Sequence, residues 1–274
     1  MEEHLTHPDG IVVTPQKHCG TGVLTLGGSS GRIDDGRARV FAEHGALAMS
    51  IRWFGGEGQP QGPRLIPLET FTTALDRLAP HCDRLVVAGT SFGAEAALLT
   101  AAYDERVSAA IGFAPSNVAW SYIDPDDTQV SHWTWDDEPV PAAPFDTSWQ
   151  PDTDPPAFVG GYRRSLAAAD PETVAAATIP VEHIDDVLLV AGGDDHVWPA
   201  VDFSAAIAER RRAHGRDTTV VTLPAAGHRT VLPGESVINA GMALQRGGTE
   251  QADRALGEQA WPAVRDILRL PARG

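Results

Sequence analysis

The pattern G-x-S-x-G, with a glycine two residues before and two residues after a serine, occurs twice in this chain. The two copies are Gly27-Gly28-Ser29-Ser30-Gly31 and Gly89-Thr90-Ser91-Phe92-Gly93. Glycines at these positions allow a tight turn between a strand and a helix, and such a turn presents the serine hydroxyl as a nucleophile. Residues 94–99 are strong helix formers, whereas a polar segment follows Gly31. The sequence therefore favours Ser91 as the nucleophile and predicts a loop with another role at residues 27–31.

A serine nucleophile requires a base that accepts its proton and an acid that orients the base. Downstream of Ser91, residues 187–191 and 218–223 predict two more strands. Asp195 follows the first of them and His228 the second, which gives the chain order Ser, Asp, His of the α/β-hydrolases. Because catalytic groups of open parallel sheets lie beyond the carboxyl ends of the strands, Ser91, Asp195 and His228 are the candidate triad.

The acid has a competitor in the preceding residue, Asp194. The spacing of Asp195 from Gly192 clears the predicted end of the strand, which favours Asp195. Asp194, Asp195 and His196 also suggest a metal site, but a hard divalent ion needs more oxygen ligands than this one loop supplies. The sequence therefore indicates neither a metal nor another cofactor.

The loop at residues 27–31 follows an apolar run and has a position suited to binding an oxyanion. In α/β-hydrolases one oxyanion donor is the backbone N–H after the nucleophile, and the other comes from a loop that follows an earlier strand. The predicted donors are the amides of Phe92 and of Ser29 or its neighbour Gly28. The alternative is an ordinary glycine and serine turn.

Helical patterns alternate with the strands through both halves of the chain. The predicted helices cover residues 36–43, 68–78, 94–103, 201–214 and 251–268. This alternation predicts one α/β-hydrolase domain over residues 1–274, with a mostly parallel central sheet flanked by helices.

Residues 115–180 do not follow this alternation, and the predicted fold therefore includes an irregular cap or lid insertion there. The segment is rich in proline and acidic residues, and it contains Trp120, Trp133, Trp135 and Trp149. A lid over Ser91 would place Trp133 and Trp149 against an apolar acyl group. The alternative is an irregular surface excursion.

Composition excludes several classes of partner. The formal net charge is −16, which argues against nucleic acid and anionic membranes. The sequence has no apolar stretch long enough to span a membrane, and its N-terminus lacks the basic start of a secretion signal. Cys19 and Cys82 are too few for a disulfide framework, and we expect reduced thiols in a cytoplasmic protein. The sequence does not indicate an oligomeric state.

Several motifs together resemble one family. They are LAMSIRWFGGEG (47–58), IPLE (66–69), GTSFGAE (89–95), IPVEHI (179–184), GDDHVWP (193–199) and AGH (226–228). The chain resembles the catalytic domain shared by acyl-CoA thioesterases and bile acid-CoA:amino acid N-acyltransferases, in the dienelactone-hydrolase branch of the α/β-hydrolases. This resemblance implies that Ser91 is the nucleophile, Asp195 the acid and His228 the base. The amide-forming members use cysteine as the nucleophile, so Ser91 resembles the hydrolytic members.

Two departures from the family concern coenzyme A. Phe92 and Ala94 stand where the family often has lysine and glycine, and the phosphates of coenzyme A favour a basic site. Arg163, Arg164 and the cluster Arg210-Arg211-Arg212 are candidates for that contact.

The sequence thus predicts a serine hydrolase or acyltransferase that acts through an acyl-enzyme on a small-molecule acyl thioester, with an acyl-CoA as one option. Its alternatives are a carboxylic ester or lactone hydrolase of the dienelactone-hydrolase type and a biosynthetic tailoring acyltransferase. A non-catalytic alternative is a binding module with a hydrolase fold.

Overall fold

The computed structural model describes residues 1–238 and 241–271. The strands are β1 (Glu2–Thr6), β2 (Asp9–Val13), β3 (Thr21–Leu26), β4 (Leu47–Ile51), β5 (Ile66–Pro67), β6 (Arg84–Thr90), β7 (Val107–Phe113), β8 (Ser121–Ile123), β9 (Gln129–Ser131), β10 (Trp133–Trp135), β11 (Glu138–Pro139), β12 (Asp186–Gly192) and β13 (Thr219–Leu223). The helices are α1 (Asp35–Glu43), α2 (Glu69–Asp76), α3 (Phe92–Tyr103), α4 (Val159–Ala168), α5 (Pro171–Ala177), α6 (Ala200–Ala213) and α7 (Glu250–Ile267).

An eight-stranded sheet with the order β1-β2-β4-β3-β6-β7-β12-β13 forms the centre of the fold. All neighbours from β4 to β13 are parallel, and the hairpin of β1 and β2 adds an antiparallel edge. Parallel strands are buried on both faces, which explains the continuous apolar runs of β3, β6 and β12. The predicted mostly parallel sheet is confirmed.

Helices cover both faces of this sheet. Alternate residues of β6 face different clusters of the core: Val87 packs in one cluster with residues of α2 and α3, and Val86 packs in the other with residues of α1 and α7. Each helix that the sequence predicts is present, with small shifts at its ends. No helix in the described ranges has the length and apolar character that crossing a membrane requires.

Residues 115–180 contain more regular structure than the sequence indicated. The short strands β8 to β11 and the helices α4 and α5 lie in this segment. Strand β10 pairs in parallel with β5, which lies outside the segment. The start of α5 carries a local signal, since the side chain of Asp170 caps the helix by accepting the amide of Thr173. Strands of two or three residues carry no comparable signal, because their pairing depends on distant partners.

Candidate active site

Ser91 lies in the turn between β6 and α3. Its backbone has φ 60° and ψ −125°, a strained conformation for a residue with a side chain. The amide of Ser91 donates a hydrogen bond to the carbonyl of Phe113 at 2.9 Å, which fixes the turn to the end of β7. This geometry matches the turn that presents a serine nucleophile.

The glycines around Ser91 are required by close approaches between backbone segments. A Cβ atom on Gly89 would lie 1.9 Å from the carbonyl oxygen of Gly93. A Cβ on Gly93 would lie 2.3 Å from the carbonyl oxygen of Leu26, at the end of β3. Real Cβ atoms do not approach other atoms so closely, so the turn can form only with glycine at both positions.

Asp195 and His228 form a buried hydrogen-bonded pair in the loops after β12 and β13. The Oδ2 atom of Asp195 lies 2.8 Å from Nδ1 of His228, and the two side chains are 2% and 8% exposed. The Oδ1 atom of Asp195 accepts the amides of Val197 and Trp198 at 2.8 and 3.1 Å. The carboxylate is therefore fixed on both oxygens, and it holds one nitrogen of the imidazole while leaving Nε2 for other chemistry.

Asp194 points away from this pair. Its Oδ1 atom contacts Nε2 of His196 at 3.1 Å, and its Oδ2 accepts the amide of Gly248 at 2.8 Å. The Gly248 amide is the main cause that lowers the pKa of Asp194. Among the described residues, no group of three or more His, Cys, Asp or Glu side chains is placed to hold a metal ion.

The loop at residues 27–31 lies against Ser91. A Cβ atom on Gly28 would be 3.1 Å from the Cβ of Ser91 and 3.7 Å from its Oγ. Phe92 follows Ser91 directly as the first residue of α3, whereas the Ser29 side chain is exposed. The structure thus brings Gly28 and Phe92 beside Ser91, and it places Ser29 one residue further out on the loop.

The two tryptophans predicted to contact an acyl group lie in different environments. Trp133 is fully buried, and its ring packs on Trp53 with centroids 5.2 Å apart. A side chain without exposed surface acts by packing, so this geometry gives no support to a substrate contact by Trp133. Trp149 is half-buried and lines a cavity of about 390 Å³ together with Phe158 and Tyr162.

Trp198 is an aromatic neighbour of the histidine that sequence reasoning did not single out. It is fully buried, its Nε1 donates to the carbonyl of Ala114 at 2.9 Å, and its ring centroid lies 6.0 Å from that of His228. The rings of Phe92 and Tyr162 also pack on it, at 5.4 and 5.5 Å. Its place in the motif GDDHVWP, three residues after Asp195, was the available signal.

Glu95 is a second residue that the sequence reasoning missed. It is completely buried on α3, and its Oε1 accepts the amide of Trp120 at 2.9 Å and Nε1 of Trp133 at 2.6 Å. Its Oε2 has no hydrogen-bond partner among the described residues. Burial raises the pKa of Glu95 to about 8, against the opposing effect of these two donors. This acid fastens the segment 115–180 to the helix that follows the nucleophile.

The arginines considered for phosphate contacts are engaged in other interactions. Four of them bond to carboxylates, in the pairs Arg163–Asp202, Arg164–Asp146, Arg210–Glu182 and Arg212–Glu209. Arg211 is buried and donates to backbone carbonyls, including those of Val181 and Ile184. These contacts stabilise the fold around α6 and give no support to an anion site there.

Comparison with solved structures agrees with the fold described above. A protein from Klebsiella pneumoniae assigned as a dienelactone hydrolase superimposes with a TM-score of 0.55, at 13% identity and with 98% of each chain covered. A puromycin-hydrolyzing peptidase of Mycobacterium tuberculosis gives a TM-score of 0.59 at 17% identity, covering 100% of this chain and 40% of the peptidase. At these identities the similarity shows the α/β-hydrolase fold alone.

Two curated mouse (Mus musculus) proteins are similar in sequence. A peroxisomal succinyl-coenzyme A thioesterase is 24% identical over 217 residues, which are 76% of this chain and 48% of that protein. Acyl-coenzyme A amino acid N-acyltransferase 2 is 30% identical over 105 residues, which are 37% of this chain and 25% of that protein. The matched regions thus span half or less of the length of these relatives.

A family model confirms the family resemblance that the sequence motifs indicated. The model described as "BAAT / Acyl-CoA thioester hydrolase C terminal" matches residues 66–264, a range that includes the serine turn, the paired aspartate and the buried histidine. With this match over most of its length and with its α/β-hydrolase fold, the chain belongs to the BAAT / acyl-CoA thioester hydrolase C-terminal family.

Proposed function

We propose that this protein is a serine hydrolase or acyltransferase that works through an acyl-enzyme on an acyl thioester, with Ser91, Asp195 and His228 as its triad. The observation that carries the proposal is the buried hydrogen bond between Asp195 and His228 at the same edge of the sheet as Ser91. Strands β6, β7, β12 and β13 are parallel neighbours, so their carboxyl ends bring all three residues to one side of the sheet.

In this mechanism the Oγ of Ser91 attacks the thioester carbonyl while Nε2 of His228 accepts the hydroxyl proton. The amides of Phe92 and Gly28, or its neighbour Ser29, stabilise the negative charge on the carbonyl oxygen. The carbon–sulfur bond then breaks, and His228 returns the proton to the departing thiolate. Water, or an amine acceptor in a transferase, attacks the acyl-serine after losing its proton to His228, and the released Ser91 regains a proton.

Family membership supports a thioester substrate, because both similar mouse proteins are named for coenzyme A chemistry. An oxygen ester remains the alternative chemistry for the same triad. Matched oxygen esters and thioesters of one acyl group distinguish them: a large kcat/KM preference for the oxygen ester would overturn the thioester assignment.

We also propose that residues 1–274 act as one domain in which residues 115–180 form the cap. Three backbone amides support this arrangement. The amide of Trp120 is bound by Glu95, and the amides of Phe158 and Val159 donate to the carbonyl of His196 in the loop that carries Asp195. The segment is thus attached to elements on both sides of the candidate triad.

The free thiols of Cys19 and Cys82 support a reducing compartment such as the cytoplasm.

The triad is tested by Ser91→Ala and Asp195→Asn, with Asp194→Asn as the matched control. We expect Ser91→Ala and Asp195→Asn to lower kcat by about 10³-fold or more, because the first removes the nucleophile and the second the acid that orients His228. Asp194→Asn should leave kcat nearly unchanged, since Asp194 contacts His196 instead. Turnover is measured on a thioester, and a fluorophosphonate probe should label wild-type protein but not Ser91→Ala.

Three results would contradict this assignment. Retained turnover in folded Ser91→Ala would exclude Ser91 as the nucleophile. An Asp194→Asn variant as inactive as Asp195→Asn would remove the distinction between the two acids. Absence of fluorophosphonate labelling together with absence of turnover would favour the non-catalytic binding module.

A further inference from the structure

A cavity of about 630 Å³ opens next to the candidate nucleophile. Its wall includes Gly28 and Thr90, which lie against and directly before Ser91, and Arg229, which follows His228. A Cβ on Gly28 would lie 3.1 Å from that of Ser91, so the cavity reaches the loop that borders the candidate nucleophile, although neither Ser91 nor His228 lines it. A substrate bound at Ser91 would enter this space by passing Gly28.

Five arginines line the cavity. Arg37 and Arg39 pair with Glu235 and Asp35, and the other three, Arg32, Arg229 and Arg246, are half-buried. Arg32 follows the loop at residues 27–31, and the carbonyl of Arg246 accepts the amide of His228 at 2.9 Å. The three cations thus come from separate loops around the candidate active site.

These guanidinium groups interact unfavourably with one another. Burial, followed by the charges of Arg246 and Arg32, lowers the pKa of Arg229 to about 10. Burial and the charge of Arg32 also lower the pKa of Arg246. Because guanidinium groups stay positively charged in proteins, an anion placed among these side chains would offset their mutual repulsion.

Most acidic residues of the same cavity are committed to other partners. Three of them form ion pairs with arginines outside the cluster, namely Glu235 with Arg37, Asp35 with Arg39 and Glu250 with Arg254. Asp253 accepts the amide of Gly227 at 2.7 Å, and its attraction for Arg229 is the smallest influence on that arginine. The pKa of Asp253 is itself raised by burial.

Backbone carbonyls contact two of the three arginines. Arg246 donates to the carbonyls of Met242 and Leu244, and Arg229 donates to that of Ile238. Within the described residues, neither Arg32 nor Arg246 forms an ion pair with a carboxylate. Arg32, Arg229 and Arg246 thus bring three guanidinium groups together in one cavity of a chain with net charge −16.

We propose that this arginine cavity, built by Arg32, Arg229 and Arg246, is the subsite for an anionic group of the thioester substrate. The anion is either a phosphate of the thiol leaving group or a carboxylate at the far end of the acyl group. Both present oxygen atoms that guanidinium groups bind with charge-assisted hydrogen bonds. The proposal rests on the proposed function of Ser91, and it places anion recognition at the loops around Ser91 and His228 rather than at α4 or α6.

The test uses the double variant Arg32→Gln/Arg246→Gln and three substrates that carry different anionic groups. They are the coenzyme A thioester of butyrate, the N-acetylcysteamine thioester of butyrate, and the N-acetylcysteamine monothioester of succinate. If phosphate is bound, kcat/KM should fall about 10- to 100-fold for the coenzyme A substrate alone. If carboxylate is bound, the same loss should appear for the succinyl substrate alone. The control Arg77→Gln removes an exposed arginine paired with Glu3 and should change none of the three.

An equal loss on all three substrates, or no loss on any, would overturn the arginine cavity. A second measurement separates this from a failure of the triad: titration calorimetry of Ser91→Ala protein with coenzyme A and with succinate, with and without Arg32→Gln. Binding that is lost with Arg32→Gln supports the subsite whatever the catalytic residues are, and unchanged or absent binding of both ligands contradicts it. The single variant Arg32→Gln removes a side chain without an ion pair in the described ranges, so it also remains informative if the double variant does not fold.

Discussion

Glu95 lies on α3, the helix that starts immediately after Ser91, and its carboxyl group is completely buried. Its raised pKa of about 8 means that most of the protein carries this acid in the neutral form at pH 7. Oε1 accepts two N–H groups, so we place the proton on Oε2, which has no partner among the described residues. Neutral Glu95 thus joins Trp120 and Trp133 of the segment 115–180 to α3 without burying a charge.

Glu95→Gln should change how stability depends on pH. The folded-state pKa lies above the unfolded value of 4.5, so the favourable contribution is complete below pH 4.5 and is lost as the pH rises towards 8. Between pH 4.5 and 8 the free energy of unfolding should fall by on the order of 1.4 kcal/mol per pH unit because of Glu95. Glutamine keeps the acceptor for Trp120 and Trp133 but does not titrate. Urea unfolding at pH 5, 6, 7 and 8 should therefore show a falling midpoint for wild type relative to Glu95→Gln.

His132 supplies an internal reference for that comparison. Burial lowers its pKa to about 4, so its contribution is lost as the pH falls from 6.5 towards 4, opposite in direction to that of Glu95. Both proteins retain His132, and the difference between their curves reports Glu95 alone. Parallel curves from pH 5 to 8 would show that Glu95 does not titrate with a raised pKa.

At the level of secondary-structure elements, the close contacts of β6, α3 and β3 determine where Ser91 lies. Gly93→Ala should prevent this packing, because the added Cβ would lie 2.3 Å from the carbonyl oxygen of Leu26 and cannot be moved away without shifting backbone. We expect loss of the folded protein, or a large drop in the thermal midpoint together with loss of fluorophosphonate labelling.

Gly36→Ala is the matched control for that substitution. Gly36 lies in the first turn of α1, and a Cβ there would meet no atom within 4 Å. Alanine should leave labelling unchanged and raise stability by up to about 1 kcal/mol, because it restricts the unfolded chain more than glycine does. A stable, fully labelled Gly93→Ala protein would show that the turn has more space than the structure gives it.

The sequence predicted the sheet and its helices because their signals are local. The apolar runs of β6 and β12 and the helix formers after Ser91 each identify an element without knowledge of its partners. No local signal distinguishes the role of Asp194 from that of Asp195, because Asp194 binds the amide of Gly248, 54 residues further along the chain. The burial of Glu95 likewise depends on Trp120 and Trp133, which are distant in sequence. The local sequence around Glu95 therefore did not indicate that its side chain is buried.

At the scale of the whole molecule, residues 115–180 are joined to the domain by both buried and half-buried aromatic side chains. Trp133→Ala should destabilise the protein by about 3–5 kcal/mol, since it removes a fully buried ring that packs on Trp53 and Phe71. Trp149→Ala should cost less stability and should raise KM for thioesters of long acyl chains, because Trp149 lines the apolar cavity of about 390 Å³.

The control for Trp149→Ala is a comparison of thioesters with short and long acyl chains. We expect a butyryl group bound at Ser91 not to reach the cavity lined by Trp149, so the KM of a butyryl thioester should not respond to Trp149→Ala. Equal changes in KM for both chain lengths would indicate that Trp149 acts through the stability of the cap. In that case the cavity would have no role in binding the acyl chain.

The hydrogen bond from the Ser91 amide to the carbonyl of Phe113 has a consequence for local opening of the structure. This bond lies between β6 and β7 at the centre of the sheet, so exchange of the Ser91 proton with solvent deuterium requires separation of the central strands. We expect the free energy of that opening to be close to the free energy of global unfolding. Residues 241–243 are exposed, and the carbonyl of Met242 accepts a hydrogen bond from Arg246, so we expect this contact to open at a lower free energy. On warming, the arginine cavity would therefore lose its shape before the nucleophile does, and discrimination between anionic and neutral thioesters would disappear while acylation of Ser91 continues.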